Sequence, residues 1–154
     1  GGPVGTVLLA GEGLGSTSSA EPLFRLPGAL RLEGGVAFTG KVSLIDLITY
    51  YRNATAYLCT SGHEGFCAPL LEAMTVGLPI VARPAGAIPE TLGAAGILVD
   101  SDDPAAWAEM LSLVVGEPQL RASLAAAGRR RVRYFDTDAV LDKWVSALGS
   151  GAEP

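Results

Sequence analysis

The chain has 154 residues, 49% of them hydrophobic and 18% charged, which suits one domain with one buried core and carries no signature of disorder. Its formal net charge of −5 speaks against a nucleic-acid partner, because a surface that grips phosphates through side chains needs a basic surplus. A nucleotide ligand is not excluded, since backbone N–H groups bind phosphate without side-chain charge.

Two cysteines, Cys59 and Cys67, cannot build a disulfide framework, and no Cys/His spacing suggests zinc. A reducing, cytoplasmic compartment fits that usage. No apolar run approaches the roughly 18 residues of a transmembrane segment. The chain opens Gly-Gly-Pro-Val and not with Met. The expectation is therefore that a natural N-terminus, with any targeting signal, lies upstream.

Short apolar runs alternate with stretches of helical period, the pattern of a parallel α/β fold. Val4 to Ala10 reads as a buried strand, followed by the glycine turn Gly11-Glu12-Gly13-Leu14-Gly15. That turn nearly imitates a dinucleotide fingerprint, but Ser16 stands where the third glycine belongs, so it is read as a turn only. A Ser-rich connector and a poor helix lead to a short strand, Val36-Ala37-Phe38, stopped by Gly40. Leu44 to Tyr51 has helical spacing, and Thr55 to Cys59 is the next strand. Cys67 to Val76 is a helix with Pro69 in its first turn, where a missing N–H costs nothing. Leu78 to Ala82 and Gly96 to Val99 are strands. Asp102 or Asp103 caps a helix from Pro104 to about Val115. A second helix runs from Pro118 to about Arg133, and a third from Thr137 to about Leu148, carrying Trp144. The chain is thus expected to form one domain over 1–148, with 149–154 as a flexible tail.

The stretch from Ser61 to Met74 carries the chemistry. It follows a strand, turns through glycine and opens a helix, which is where open α/β sheets bind ligands. The helix start offers the N–H groups of Phe66, Cys67 and Ala68, with a favourable dipole, to a phosphate. Glu64 precedes the turn, and Glu72 lies about two turns along the helix. Two carboxylates at such a mouth could bind the vicinal hydroxyls of two sugars, one at each end of a pyrophosphate.

Glu64-Gly65-Phe66-Cys67-Ala68-Pro69-Leu70-Leu71-Glu72 resembles the E-x7-E motif of glycosyltransferase family 4, the group 1 enzymes. The flanks agree in order: Ala56 to Ser61 before it, then Gly77 to Ala82, Gly86 to Glu90, and Gly96 to Asp100 with Asp103-Pro104. An E-x7-E spacing alone means nothing; the ordered flanks, over nearly the whole chain, carry the likeness. The resemblance implies the C-terminal half of a GT-B fold, a Rossmann-like parallel sheet flanked by helices, with a helical C-terminal segment. It also implies a donor-binding role in a retaining transfer of sugar from a UDP-, GDP- or ADP-sugar to an acceptor hydroxyl, without cofactor or metal. Glu64 would contact the donor sugar near the reacting centre. The amides of Gly65, Phe66 and Cys67, with those of Leu70 and Leu71, would meet sugar and diphosphate. Glu72 would bind the ribose, and the turn Gly40-Lys41-Val42 would bracket the base. Family members often have glycine where this chain has Cys67, whose side chain narrows the approach to the helix end.

Blander roles stand beside these. Glu72 could be a surface acid, and Glu64 a loop acid. His63, the one histidine, is read as a crevice-rim residue, because the family's important histidine or aspartate comes from an N-terminal acceptor domain. Cys67 is read as a small core-side residue rather than a reactive thiol. The run Arg129 to Arg133 is read as a solvated helix end complementing the dipole, though peripheral contact with a phospholipid surface is open.

By the same resemblance, a strand and helix bearing a diphosphate-gripping Arg and Lys would precede Val4, and in the order 3-2-1-4-5-6 that strand is central. The chain is expected to be inactive alone. The alternatives are a non-catalytic nucleotide-sugar-binding scaffold subunit, or another GT-B enzyme such as a nucleotide-sugar epimerase; fold alone does not choose between them.

Overall fold

Every strand pair among the described residues is parallel. The computed structural model describes residues 7–10, 36–62, 65 and 67–135, and the chain divides into two units, Gly1–Leu47 and Ile48–Pro154. In the first unit β1 (Val7–Ala10) pairs with β2 (Val36–Gly40), Val7 opposite Val36 and Leu9 opposite Phe38, until a register shift sets Ala10 against Gly40. Gly40 has φ 63°, a conformation glycine adopts without penalty, and the strand ends there. In the second unit β3 (Tyr57–Cys59), β4 (Ile80–Ala82) and β5 (Ile97–Leu98) form a sheet in that order. All three residues of β4 are buried, as the unbroken Ile-Val-Ala run of a strand covered on both faces requires. β3, β4 and β5 are each shorter than their apolar runs in sequence, while β2 runs two residues beyond Phe38 to Gly40.

Helix α1 (Leu44–Asn53) starts at a reciprocal cap: the Asp46 N–H donates to Ser43 Oγ (3.1 Å), and the Ser43 hydroxyl donates to the Asp46 carboxylate (2.6 Å). Helix α2 (Ala68–Val76) buries Leu70, Leu71, Ala73 and Met74, with Pro69 in its first turn. It ends where Gly77, at φ 76°, lets the Leu78 N–H reach back to the Ala73 carbonyl (2.9 Å). A short helix at a position where the sequence predicts no element, α3 (Ile88–Leu92), follows β4. Its Pro89 sits in the first turn, and Ile88, Thr91 and Leu92 point inward. One turn is too short to show a period in sequence.

Helix α4 (Pro104–Gly116) resolves the choice of cap: Asp103 accepts from the Ala105 N–H (2.9 Å), while Asp102 pairs with Arg83 (2.9 Å). Helix α5 (Pro118–Arg131) gives way to a tighter 3-10 turn over Val132–Tyr134 rather than continuing regularly to Arg133. Val81 and Val99 pack with Trp107, Val114 and Leu124 in a core between sheet and helices.

The basic run is not simply a solvated helix end. Arg129 donates to the Val76 carbonyl at the end of α2 (3.4 Å). Arg131 donates to the Thr91 carbonyl at the end of α3 (3.2 Å) and to that of Glu90, and its guanidinium stacks on Tyr134 and Phe135. Arg121, one turn into α5, donates to the Val114 and Val115 carbonyls of α4. One helix therefore supplies three arginines to the carboxyl ends of three others, where carbonyls lack partners and the dipole is negative. The predicted helix over 137–148, the tail 149–154, the Gly11–Gly15 turn and the Ser-rich connector lie outside the described residues.

Candidate functional site

The site is built where β3 hands over to α2. The carbonyl of Cys59, last in β3, accepts from the Arg83 N–H (2.8 Å), which ties the carboxyl ends of β3 and β4 together. The chain then passes Thr60, Ser61, Gly62 and Gly65 to Cys67. His63, Glu64 and Phe66 lie outside the described residues, so the expected sugar contact of Glu64 and the amide of Phe66 have no geometry here. A Cβ on Gly62 or Gly65 would meet nothing within 4 Å, so neither glycine is demanded by crowding.

Cys67 is the one described non-glycine residue with positive φ, at φ 52° and ψ 63°. That left-handed geometry turns the chain into the helix, and it is the geometry glycine tolerates best. The Cys67 side chain is buried at 6% exposure, in keeping with a core-side residue. Its carbonyl accepts from the Leu70 N–H (3.0 Å), so that expected ligand amide also closes the first turn of the helix. Pro69 has no N–H to offer. Ala68, exposed, opens the helix. Leu70 and Leu71 direct their side chains wholly into the core, at 0% and 1% exposure.

Glu72 is the fifth residue of α2 and half-buried. The hydroxyl of Tyr51, from α1, donates to its Oε2 (3.3 Å). Tyr51 is itself buried, and its ring meets that of Tyr57, the first residue of β3, at 5.7 Å and 52°. Burial pushes the Tyr51 phenol well above its ordinary range, and the neighbouring Tyr57, Glu72 and Cys67 push it further. It is therefore a neutral hydrogen-bond donor at any working pH. Sequence reasoning missed Tyr51, whose position on α1 reads only as one of its inward-facing residues; nothing local announces a partner 21 residues away.

Gly40-Lys41-Val42 belongs to the first unit, where Gly40 is left-handed, Lys41 exposed and Val42 half-buried. Among the described residues no three His, Cys, Asp or Glu side chains gather as a metal site, and no helix is long and apolar enough to cross a membrane. A groove of about 400 Å³, bordered by Tyr51, Arg52, Thr55, Pro79 and Arg121, holds none of the predicted site residues. Thr55 and Pro79 precede β3 and β4, so the groove opens at the amino ends of the strands, opposite the end where α/β sheets bind ligands.

Comparison with known proteins joins this geometry to a family. The model of the family described as "Glycosyl transferases group 1" matches residues 6–131. The D-inositol 3-phosphate glycosyltransferase of Salinispora arenicola is 32% identical over 147 residues, covering 94% of this chain and 33% of that protein. The structure of Anabaena Alr3699/HepE in complex with UDP and glucose superposes with a TM-score of 0.76 at 26% identity, over 94% of this chain and 40% of that one. The C-terminal domain of a glycosyl transferase group 1 family protein (LpcC) from Francisella tularensis gives 0.66 at 27% identity, over 74% and 60%. The chain spans about a third of the length of the curated relatives it matches.

Proposed function

The chain belongs to the group 1 glycosyl transferases, and from that membership we propose that it is the donor-binding half of a retaining glycosyltransferase. In this reading the complete protein moves a sugar from a nucleoside-diphosphate sugar to an acceptor hydroxyl, and a further acceptor-binding domain is needed for turnover. The observation that carries the reading is Glu72: a half-buried carboxylate, held by a buried tyrosine, on a helix that opens through a left-handed residue just past the carboxyl end of a parallel strand. Diphosphate would lie at the start of α2, where the helix dipole and the N–H groups favour negative charge without a metal. Glu72 would accept from the ribose hydroxyls, and Glu64 would contact the sugar. UDP is the first donor diphosphate to try, because Alr3699/HepE is seen with UDP and glucose. D-inositol 3-phosphate, the compound in the name of the Salinispora relative, is the first acceptor.

Donor kinetics on the complete protein test the assignment. Ribose is unchanged during transfer, so a carboxylate that binds it stabilises ground and transition states alike. Glu72→Gln should therefore raise KM for the donor about ten- to a hundredfold, the worth of a charge-assisted hydrogen bond, with kcat little changed. A fall in kcat at constant KM would contradict the ribose role.

A further inference from the structure

We infer that Tyr51 is a positioning residue for nucleotide binding, fixing the Glu72 carboxylate so that it meets the ribose diol already oriented; this rests on the donor-binding reading above. The Tyr51 hydroxyl donates to Glu72 Oε2 across two separate helices, α1 and α2. Its ring is held in turn against Tyr57, so the donor is anchored to the start of β3, the strand whose far end leads into the site. Glutamate on a helix surface ordinarily samples several rotamers, and ordering it costs a ligand part of its binding energy. A hydrogen bond from a buried, neutral phenol meets that cost before the ligand arrives. It leaves the charge intact, which an arginine or lysine partner would offset.

A carboxylate has about four lone-pair directions, so accepting one phenol proton is compatible with accepting two ribose hydroxyls. The phenol also suits a permanent donor's task, because its environment disfavours ionisation, with burial the leading cause. At 3.3 Å the bond is longer than the ~2.7–2.8 Å common for O–H···O pairs, so its worth lies at the lower end of the charge-assisted range.

The test compares ribonucleotides with nucleotides that lack the diol. Wild type, Tyr51→Phe, Glu72→Gln and the double variant are titrated calorimetrically with UDP, GDP and ADP, and then with the 2′,3′-dideoxy form of whichever diphosphate binds. Tyr51→Phe keeps the ring and its contact with Tyr57, so the fold should persist. The expected result is a loss of about three- to tenfold in affinity for the ribonucleotide, no change for the dideoxy form, and a double variant no weaker than Glu72→Gln alone. Equal losses for both nucleotides would show a merely structural tyrosine and overturn the inference. So would full ribonucleotide affinity in Tyr51→Phe while Glu72→Gln binds weakly. If Glu72→Gln leaves the affinity unchanged, or no diphosphate binds wild type, the donor-site reading itself falls and takes the role of Tyr51 with it.

Discussion

Replacing Cys67 by alanine and by glycine should reverse the usual order of those two residues. At an ordinary position alanine is the more stabilising, because glycine leaves the unfolded chain more freedom, a difference of about 0.4–1 kcal/mol. Cys67 has φ 52°, and an L-residue with a Cβ pays about 1–2 kcal/mol for the left-handed region that glycine enters freely. Both variants lose the same buried sulfur, so that loss cancels in the comparison. The difference leaves Cys67→Gly more stable than Cys67→Ala by about 0.5–1 kcal/mol. Against wild type, the glycine variant trades relief of strain for a lost buried thiol and should lie within about 1 kcal/mol, whereas the alanine variant keeps the strain and loses the thiol. Urea unfolding of the three proteins under reducing conditions measures the order. An alanine variant as stable as the glycine variant would refute a strained turn into α2.

Gly77 at the other end of α2 makes a related case. Gly77→Ala should cost about 0.5–1.5 kcal/mol, because φ is 76° there and a Cβ would also fall on the Arg129 guanidinium, 2.6 Å from its Cζ. Arg129 is long and exposed and can move aside, so the cost should be the same within a few tenths of a kcal/mol in an Arg129→Ala background, read by the same unfolding method. Alkaline stability tests the burial of Tyr51. Its raised pKa means the unfolded chain releases that proton first, so the contribution is complete below pH ~10 and lost above it, at up to about 1.4 kcal/mol per pH unit. Stability measured from pH 9 to 11 should fall less steeply in Tyr51→Phe; parallel curves would mean the phenol is not protected.

Local features of the fold were the ones legible in the sequence. Pro69 sits in a first turn, one of the pair Asp102 and Asp103 caps the helix that opens at Pro104, and α2 ends at Val76, because each depends on residues within one turn. The parallel pairing of β3, β4 and β5 followed from alternating runs, and Glu72 was singled out through a short local motif that ends on α2. What escaped was tertiary. The one-turn helix α3 is held by burial of Ile88 and Leu92, and Arg129 and Arg131 bind carbonyls at residues far away in sequence. Tyr51 belongs to the same class, a buried side chain whose acceptor lies on another element.

A structure of the protein with a bound nucleoside diphosphate tests the central claim most directly, with UDP as the first ligand. The diphosphate is expected at the start of α2, beside Cys67 and Ala68, and the ribose hydroxyls within hydrogen-bond distance of Glu72. A nucleotide seated at the opposite end of the strands, in the groove bordered by Arg52 and Arg121, would contradict it.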